Sequence, residues 1–153
     1  MDGLDIFTDG ACSGNPGEAA IGVVFKENGT IIREIAEAIG LATNNIAEYT
    51  ALLRALKEAQ ILKANNIRVH TDSQWMFNQI RGTYKVKAEQ IKPLYDEAIA
   101  LAKGFKRVEF KWIPREENKD ADCLAQGVLK TKASQGDRPD VFVIGEESPS
   151  SEG

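Results

Sequence analysis

Leu4, Ile6 and Thr8 alternate with Asp5, Phe7 and Asp9, the period-two pattern of a short strand that closes at Asp9-Gly10. Gly14-Asn15-Pro16-Gly17 is made almost wholly of turn residues and predicts a tight loop. Residues 20–26 and 30–38 flank Asn28-Gly29, a strong short hairpin signal, so three strands in an antiparallel meander are predicted. The period then changes. Thr43-Asn44-Asn45 offers N-cap candidates, Asn45-x-x-Glu48 has capping-box spacing, and Leu52, Leu53, Leu56, Ala59 and Leu62 follow at helical intervals to about Asn65-Asn66. Residues 67–71 read as a fourth strand ending at Asp72. Residues 73–80 read as a short helix closed by Gly82, and 88–103 as another, with Pro93 tolerated near its first turn. A fifth strand over 108–113 and a last helix over 120–129 complete the pattern.

The predicted order is β-β-β-α-β-α-α-β-α. Three strands precede any helix and the later strands alternate with helices, which implies an α/β fold with a mixed sheet covered by helices. No internal repeat is visible. From residue 132 onward Ser, Gly, Pro and acidic residues dominate, so the expected division is a folded domain over 1–131 and an acidic tail over 132–153. Val141-Phe142-Val143-Ile144 interrupts that tail, either as a short strand that docks on the sheet edge or as an apolar patch in a loose segment.

A chain of 153 residues with 42% hydrophobic and 27% charged residues can bury one ordinary core. The net charge of −4 argues against a generally basic coat for nucleic acid. The excess sits in the tail: residues 134–153 carry five acids and one Arg, leaving the rest balanced. Residues 81–115 hold nine basic residues against four acidic ones, so a local positive strip remains available. No apolar run approaches the ~20 residues that span a bilayer. Met1-Asp2-Gly3-Leu4-Asp5 lacks the basic start of a secretory signal. Cys12 and Cys123 form no paired motif. A reduced, cytoplasmic chain is expected, without a membrane partner.

Three acids resist a purely structural reading. Asp9 and Asp72 each end a predicted strand before a small residue. If those strands are parallel neighbours, both carboxylates meet at the edge where open α/β sheets carry ligands, although either alone serves equally as a turn or helix cap. Glu48 falls in line with Leu52, Ala55, Ala59 and Leu62 on the stripe that the long helix buries. A carboxylate there must be paired, neutralised or bound to a cation, whereas a capping-box Glu48 would face solvent. Asp120 or Asp122 offers a fourth acid, and periodicity does not choose between them. Converging carboxylates need a cation, and hard divalent ions such as Mg²⁺ take oxygen ligands and substrate phosphates. Two such ions ~3.5–4 Å apart can activate a water and stabilise the leaving oxygen of an in-line displacement. With a single His, no evident activated thiol and no phosphate-cradling G-x-x-x-x-G-K loop, metal-assisted phosphodiester hydrolysis is the chemistry these residues support.

Residues 7–17 (Phe-Thr-Asp-Gly-Ala-Cys-Ser-Gly-Asn-Pro-Gly), 43–48 (Thr-Asn-Asn-Ile-Ala-Glu), 71–74 (Thr-Asp-Ser-Gln) and 118–125 (Asn-Lys-Asp-Ala-Asp-Cys-Leu-Ala) together resemble ribonuclease H of type 1. Each block is weak alone, and the four in order are highly specific. The resemblance implies a five-stranded mixed sheet in the order 3-2-1-4-5 and picks Asp122 over Asp120. It implies that Asp9, Glu48, Asp72 and Asp122 are the catalytic, metal-binding acids, with two Mg²⁺ ions per site and Mn²⁺ as a substitute. The implied activity is endonucleolytic cleavage of the RNA strand of an RNA–DNA hybrid to 3′-hydroxyl and 5′-phosphate ends. Preference for RNA needs contacts to the 2′-hydroxyl. Cys12, Asn15, Asn44, Asn45 and Gln74, with Thr43 in the same block, match positions that the family sets against the hybrid.

Two departures from the family stand out. The segment Trp112-Ile113-Pro114-Arg115-Glu116-Glu117-Asn118 lacks the loop His of many members and is similar to a shorter archaeal-type branch, in which either Arg115 or Glu117 takes part of that role or no residue does. An Arg stays protonated, so Arg115 helps only electrostatically. The lone His70 reads as a core residue. Residues 82–87 also run into the next helix without a basic protrusion, and Ile46 stands where a phosphate-contacting Arg is common, which shifts hybrid binding toward Lys85 and Lys87. The alternatives are a same-fold nuclease that also cuts double-stranded RNA, and a hybrid-binding module without turnover. Nothing in the chain demands a protein partner, so a monomer is expected.

Overall fold

The computed structural model describes residues 3–137. Its strands are β1 (Gly3–Cys12), β2 (Gly17–Glu27), β3 (Thr30–Ala42), β4 (Asn66–Thr71) and β5 (Arg107–Trp112). Its helices are α1 (Asn44–Ile61), α2 (Gln74–Ile80), α3 (Lys92–Ala102) and α4 (Lys119–Asp137), with one 3-10 turn at Arg115–Glu117. The element order is the expected one. A single sheet runs β3-β2-β1-β4-β5, antiparallel within the first three strands and parallel from β1 to β4 and from β4 to β5. Val141 to Ile144 lie outside the described residues.

The hairpin forms where the sequence puts it. Asn28 and Gly29 have φ of 51° and 80°, the two positive values that a twist-matched two-residue turn requires. β2 is the middle of the meander, and every residue from Ala19 to Phe25 is buried, the near-continuous run expected of a strand covered on both faces. On one face Leu4, Ile6, Val23, Phe25, Ile67 and Val69 meet Leu52, Leu56 and Ala59 of α1, with Met76 of α2 and Ala98 of α3 closing the cluster. On the other face Ala11 and Ala20 meet Ala125 and Leu129 of α4.

α1 opens on Thr43, whose hydroxyl accepts the Ile46 N–H at 3.2 Å. The N-cap is therefore Thr43 rather than Asn45. Asn45 lies inside the helix, so the capping box with Glu48 does not form. The helix closes earlier than the Asn pair suggests. Lys63 turns to φ 60°, and the Lys63 and Ala64 N–H groups reach back to the Gln60 and Ala59 carbonyls, a Schellman closure.

Four further boundaries move for local reasons. β1 does not stop at Asp9, because Gly10, Ala11 and Cys12 continue to pair with Ile21, Ala20 and Ala19 of β2. β3 runs on to Ala42, passing an irregularity in the ladder beside Gly40, which sits at φ 81°. α3 begins at Lys92 instead of 88, since Pro93 has no N–H to extend the helix backward and takes a first-turn position. α4 continues through Asp137 rather than ending at Leu129, across the expected boundary at 131/132. No proline interrupts 130–137. No helix among the described residues is long and apolar enough to cross a membrane.

Candidate active site

The parallel ladder between β1 and β4 ends at the pair Thr8↔Thr71. Asp9 and Asp72 are the next residues on each chain, so the register delivers both carboxylates to one level of the sheet edge. Beyond that point β1 pairs only with β2, which opens a space between the two segments. Asp72 is held from several sides. The Trp112 indole N–H donates to its carbonyl at 3.2 Å, and Asn118 Nδ2 donates to its Oδ2 at 3.0 Å. Next to it Ser73 caps α2 by accepting the Met76 N–H at 3.1 Å, while its own N–H donates to Thr71 Oγ1 at 3.1 Å.

Two glycines bring the remaining acids in. A side chain on Gly10 would collide with the backbone of Ala47 and Glu48. Without one, β1 touches the first turn of α1, and the Gly10 N–H hydrogen-bonds the Glu48 carboxylate. On the opposite face Gly22, the ladder partner of Asp9, leaves the space that the Ala121 carbonyl fills. The first turn of α4 thereby sits against the sheet and carries Asp122 to hydrogen-bonding contact with Asp9. Asp120 points elsewhere. It is exposed and pairs with Lys26 at 3.5 Å.

Carboxylate oxygens of Asp9, Glu48 and Asp72 lie within 4.8 Å of one another. Asp122 stands outside that triad but lines the same cavity, with Gly10, Cys12, Asn44, Arg115 and Gln126. Burial, reinforced by Asp72 and Asp122, pushes the Asp9 carboxyl up to about 8. Burial next to Asp9 and Asp72 raises Glu48 well above the carboxylate range, and the Gly10 N–H and Arg115 offset only part of this. Glu48 Oε1 is sealed from solvent and has no hydrogen-bond partner among the described residues. Arg115 Nη2 is 3.8 Å from Asp122 Oδ1, on a side chain that is 76% exposed. An all-oxygen donor set with an orphaned buried carboxylate oxygen, and with no ion pair to Asp9, Glu48 or Asp72 among the described residues, fits a hard divalent cation.

The expected contact residues divide between two neighbouring hollows. Cys12 and Asn44 line the acid cavity, while Asn15, Thr43 and Asn45 line a wider groove with Ile46, Trp75 and residues 88–91. Asn15 Oδ1 accepts the Asn44 N–H at 3.0 Å, tying the 14–17 loop to the start of α1. The Cys12 thiol donates to the Ala42 carbonyl at 3.3 Å, and burial beside Glu48 raises its pKa, so it is not an activated nucleophile. Gln74 is exposed at the first residue of α2 and lines neither hollow.

Arg115 reaches the site and Glu117 does not. Glu117 borders a separate small cavity with Phe7, Lys26 and Asp120. Lys85 and Lys87 are exposed on the 81–91 connection. His70 is a core histidine, as its position suggests. It is buried, stacks on Phe7 with ring centres 4.3 Å apart, and places Nε2 3.1 Å from Asp5 Oδ1. Two residues of the site went unmarked in the sequence. Gln126 lies one helical turn after Asp122, and only that spacing could have found it. Asn118 is a polar residue buried before a helix start, a feature that a sequence alone does not distinguish from a cap.

Residues 7–128 match the family described as reverse transcriptase-like. A bifunctional protein of Mycobacterium tuberculosis is 38% identical over 152 residues, covering 97% of this chain and 42% of the relative. A ribonuclease H of Nitrosomonas eutropha is 42% identical over 158 residues, covering 90% of this chain and 96% of the relative. Among solved structures, LC11-RNase H1 in complex with an RNA/DNA hybrid is 34% identical and superposes with a TM-score of 0.80, covering 85% of this chain and 99% of that one. The chain thus spans less than half the length of the mycobacterial relative and nearly all of the other two.

Proposed function

Since the chain belongs to the type 1 ribonuclease H family, we propose that it is a metal-dependent endoribonuclease that cuts the RNA strand of RNA–DNA hybrids to 3′-hydroxyl and 5′-phosphate ends. The observation that carries this reading is the convergence of Asp9, Glu48 and Asp72 within 4.8 Å, beside a groove lined by Asn15, Thr43 and Asn45. A hydrolase of RNA in a hybrid needs both parts, carboxylates for the cation and short polar groups for the ribose face.

Asp9, Glu48 and Asp72 would hold the metal, with Asp122 completing the set from α4. Mg²⁺ suits their oxygen donors, and Mn²⁺ would substitute. Divalent cations bound there supply an activated water and neutralise charge on the leaving oxygen of an in-line displacement. Gly10 orients the Glu48 carboxylate through its N–H. Arg115 adds positive charge at the mouth, where it attracts the phosphate. Asn44 and the Asn15 loop shape the path for the ribose side of the hybrid, and Asn45 and Thr43 extend it. Lys85 and Lys87 add sequence-independent attraction for phosphate. The catalytic unit is the domain formed by β1 to α4.

A substrate panel tests this reading. With Mg²⁺ the chain should cleave a labelled RNA–DNA hybrid internally, leave an all-DNA duplex intact, and cut all-RNA duplex more slowly than hybrid. Equal rates on hybrid and all-RNA duplex would contradict the hybrid assignment, and no cleavage with either Mg²⁺ or Mn²⁺ would leave only binding.

A further inference from the structure

We infer that Asn118 is a positioning residue for the metal-binding acids, a single amide that sets Asp72 in register with the strand carrying Asp9 and the helix carrying Asp122. This rests on the hydrolase reading above, because it assigns Asn118 a task in that same site.

The contacts are unusual for one side chain. Asn118 is 1% exposed, although it lies in a connection between the 3-10 turn and α4. Its Nδ2 donates to the Thr8 carbonyl at 2.9 Å and to Asp72 Oδ2 at 3.0 Å. Thr8 immediately precedes Asp9. The Asn118 carbonyl accepts the Asp122 N–H at 3.1 Å, the bond that starts the first turn of α4. The three acid-bearing segments β1, the Asp72 loop and α4 therefore meet on this residue.

The amide can sit only one way. Turning it over would set Oδ1 against a carbonyl and a carboxylate, two acceptors facing a third. In the arrangement seen, both Nδ2 hydrogens are used and Oδ1 is buried with no partner among the described residues. That orphaned oxygen costs stability, as any buried unpaired acceptor does. A residue selected only to cap α4 would not need to bury its side chain against Asp72. The donor pair is what the position requires. It fixes Asp72 Oδ2 and so orients the carboxylate that would hold the cation, the role that outer hydrogen-bond partners play for metal-binding carboxylates.

Asn118→Asp keeps the shape, removes the donors and places an acceptor against Asp72. Asn118→Ala removes the donors without adding charge. Three readouts separate the possibilities: Mn²⁺ affinity by calorimetry without nucleic acid, kcat and KM on hybrid, and melting temperature. The expected result for Asn118→Ala is a Mn²⁺ affinity lower by ~10–100-fold and a kcat lower by a similar factor, with KM for hybrid within about twofold of the parent. Asn118→Asp should be at least as impaired. A folded Asn118→Ala protein with parental Mn²⁺ affinity and kcat would overturn the assignment, whatever its melting temperature. If Asn118→Asp fails to fold, Asn118→Ala alone decides. Should the parent bind Mn²⁺ but cleave no hybrid, the hydrolase reading fails while the Mn²⁺ titration still judges Asn118.

Discussion

Gly22 stands across the β1–β2 ladder from Asp9, and the Ala121 carbonyl occupies the space where a Gly22 side chain would begin. The approach of α4 to the sheet, and with it the contact between Asp122 and Asp9, depends on that missing atom. Gly22→Ala should lower stability by about 1–3 kcal/mol, the usual cost of overpacking a filled contact. Hybrid cleavage should fall further than stability accounts for, because Asp122 moves with the helix. Urea unfolding and initial rates on the same preparation check this. A variant with lowered stability but parental rate per folded molecule would show that the approach of α4 serves packing alone.

The acid cluster makes a prediction about pH. Asp9 has an ordinary value of 3.8 and is pushed up to about 8 in the folded chain, and Glu48 moves the same way. Between those values the folded protein holds protons that the unfolded chain releases, so in chelator this cluster's contribution to stability falls as pH rises from about 4 to 8. Asp9→Asn should flatten that slope. Divalent cation at pH 8 should raise the parent's melting temperature and do so less for the variant, since binding replaces the protons. Identical pH slopes for the two proteins in chelator would contradict the assigned electrostatics.

Beneath the groove, Tyr49 is fully buried and its hydroxyl donates to Gln79 Oε1 at 2.7 Å, joining α1 to α2. Trp75, which lines the groove, packs edge-on against Tyr49 with ring centres 6.3 Å apart. Tyr49→Phe keeps the ring and strips Gln79 of its donor, so stability should drop by about 1–3 kcal/mol. The Phe ring still supports Trp75, so KM for hybrid should change little. Thermal unfolding and a KM measurement separate these effects.

Much of the fold was legible in the chain because its signals are local. Asn28-Gly29 fixes a hairpin through backbone conformation alone, and the apolar run of β2 declares a strand buried on both faces. The helix stripe from Glu48 to Leu62 correctly set a carboxylate against the core. The strand ends were less legible. Where β1 stops depends on its partner, and β2 carries it to Cys12 although Asp9-Gly10 looks like a terminus. In the candidate site, Asp9 and Asp72 could be picked out singly because each follows the end of a predicted strand. The site was opaque at Asn118, whose task exists only once three distant segments meet. Gly10 and Gly22 were opaque for the same reason, since close approach of a helix leaves no mark in a single sequence.

Hybrid binding should depend on salt, and the lysines on the 81–91 connection should carry part of that dependence. Replacing Lys85 and Lys87 by Ala should weaken binding by similar factors for different hybrid sequences. Each replacement should reduce the slope of log K against log salt by about 1 if the side chain meets a phosphate. Titrations at several salt concentrations, in Ca²⁺ to prevent cleavage, would show it. Unchanged slopes in both variants would place the phosphate contacts elsewhere, with Arg115 as the first alternative.

The central claim is that Asp9, Glu48 and Asp72 act together on a phosphodiester of RNA paired with DNA. Its most direct measurement is the cleavage rate of a hybrid with labelled RNA, in Mg²⁺, for the parent and for Asp9→Asn and Asp72→Asn. The account predicts internal cuts by the parent that leave 5′-phosphate ends, and loss of nearly all activity in each variant while both still fold and bind hybrid. Either variant cleaving as fast as the parent would contradict it.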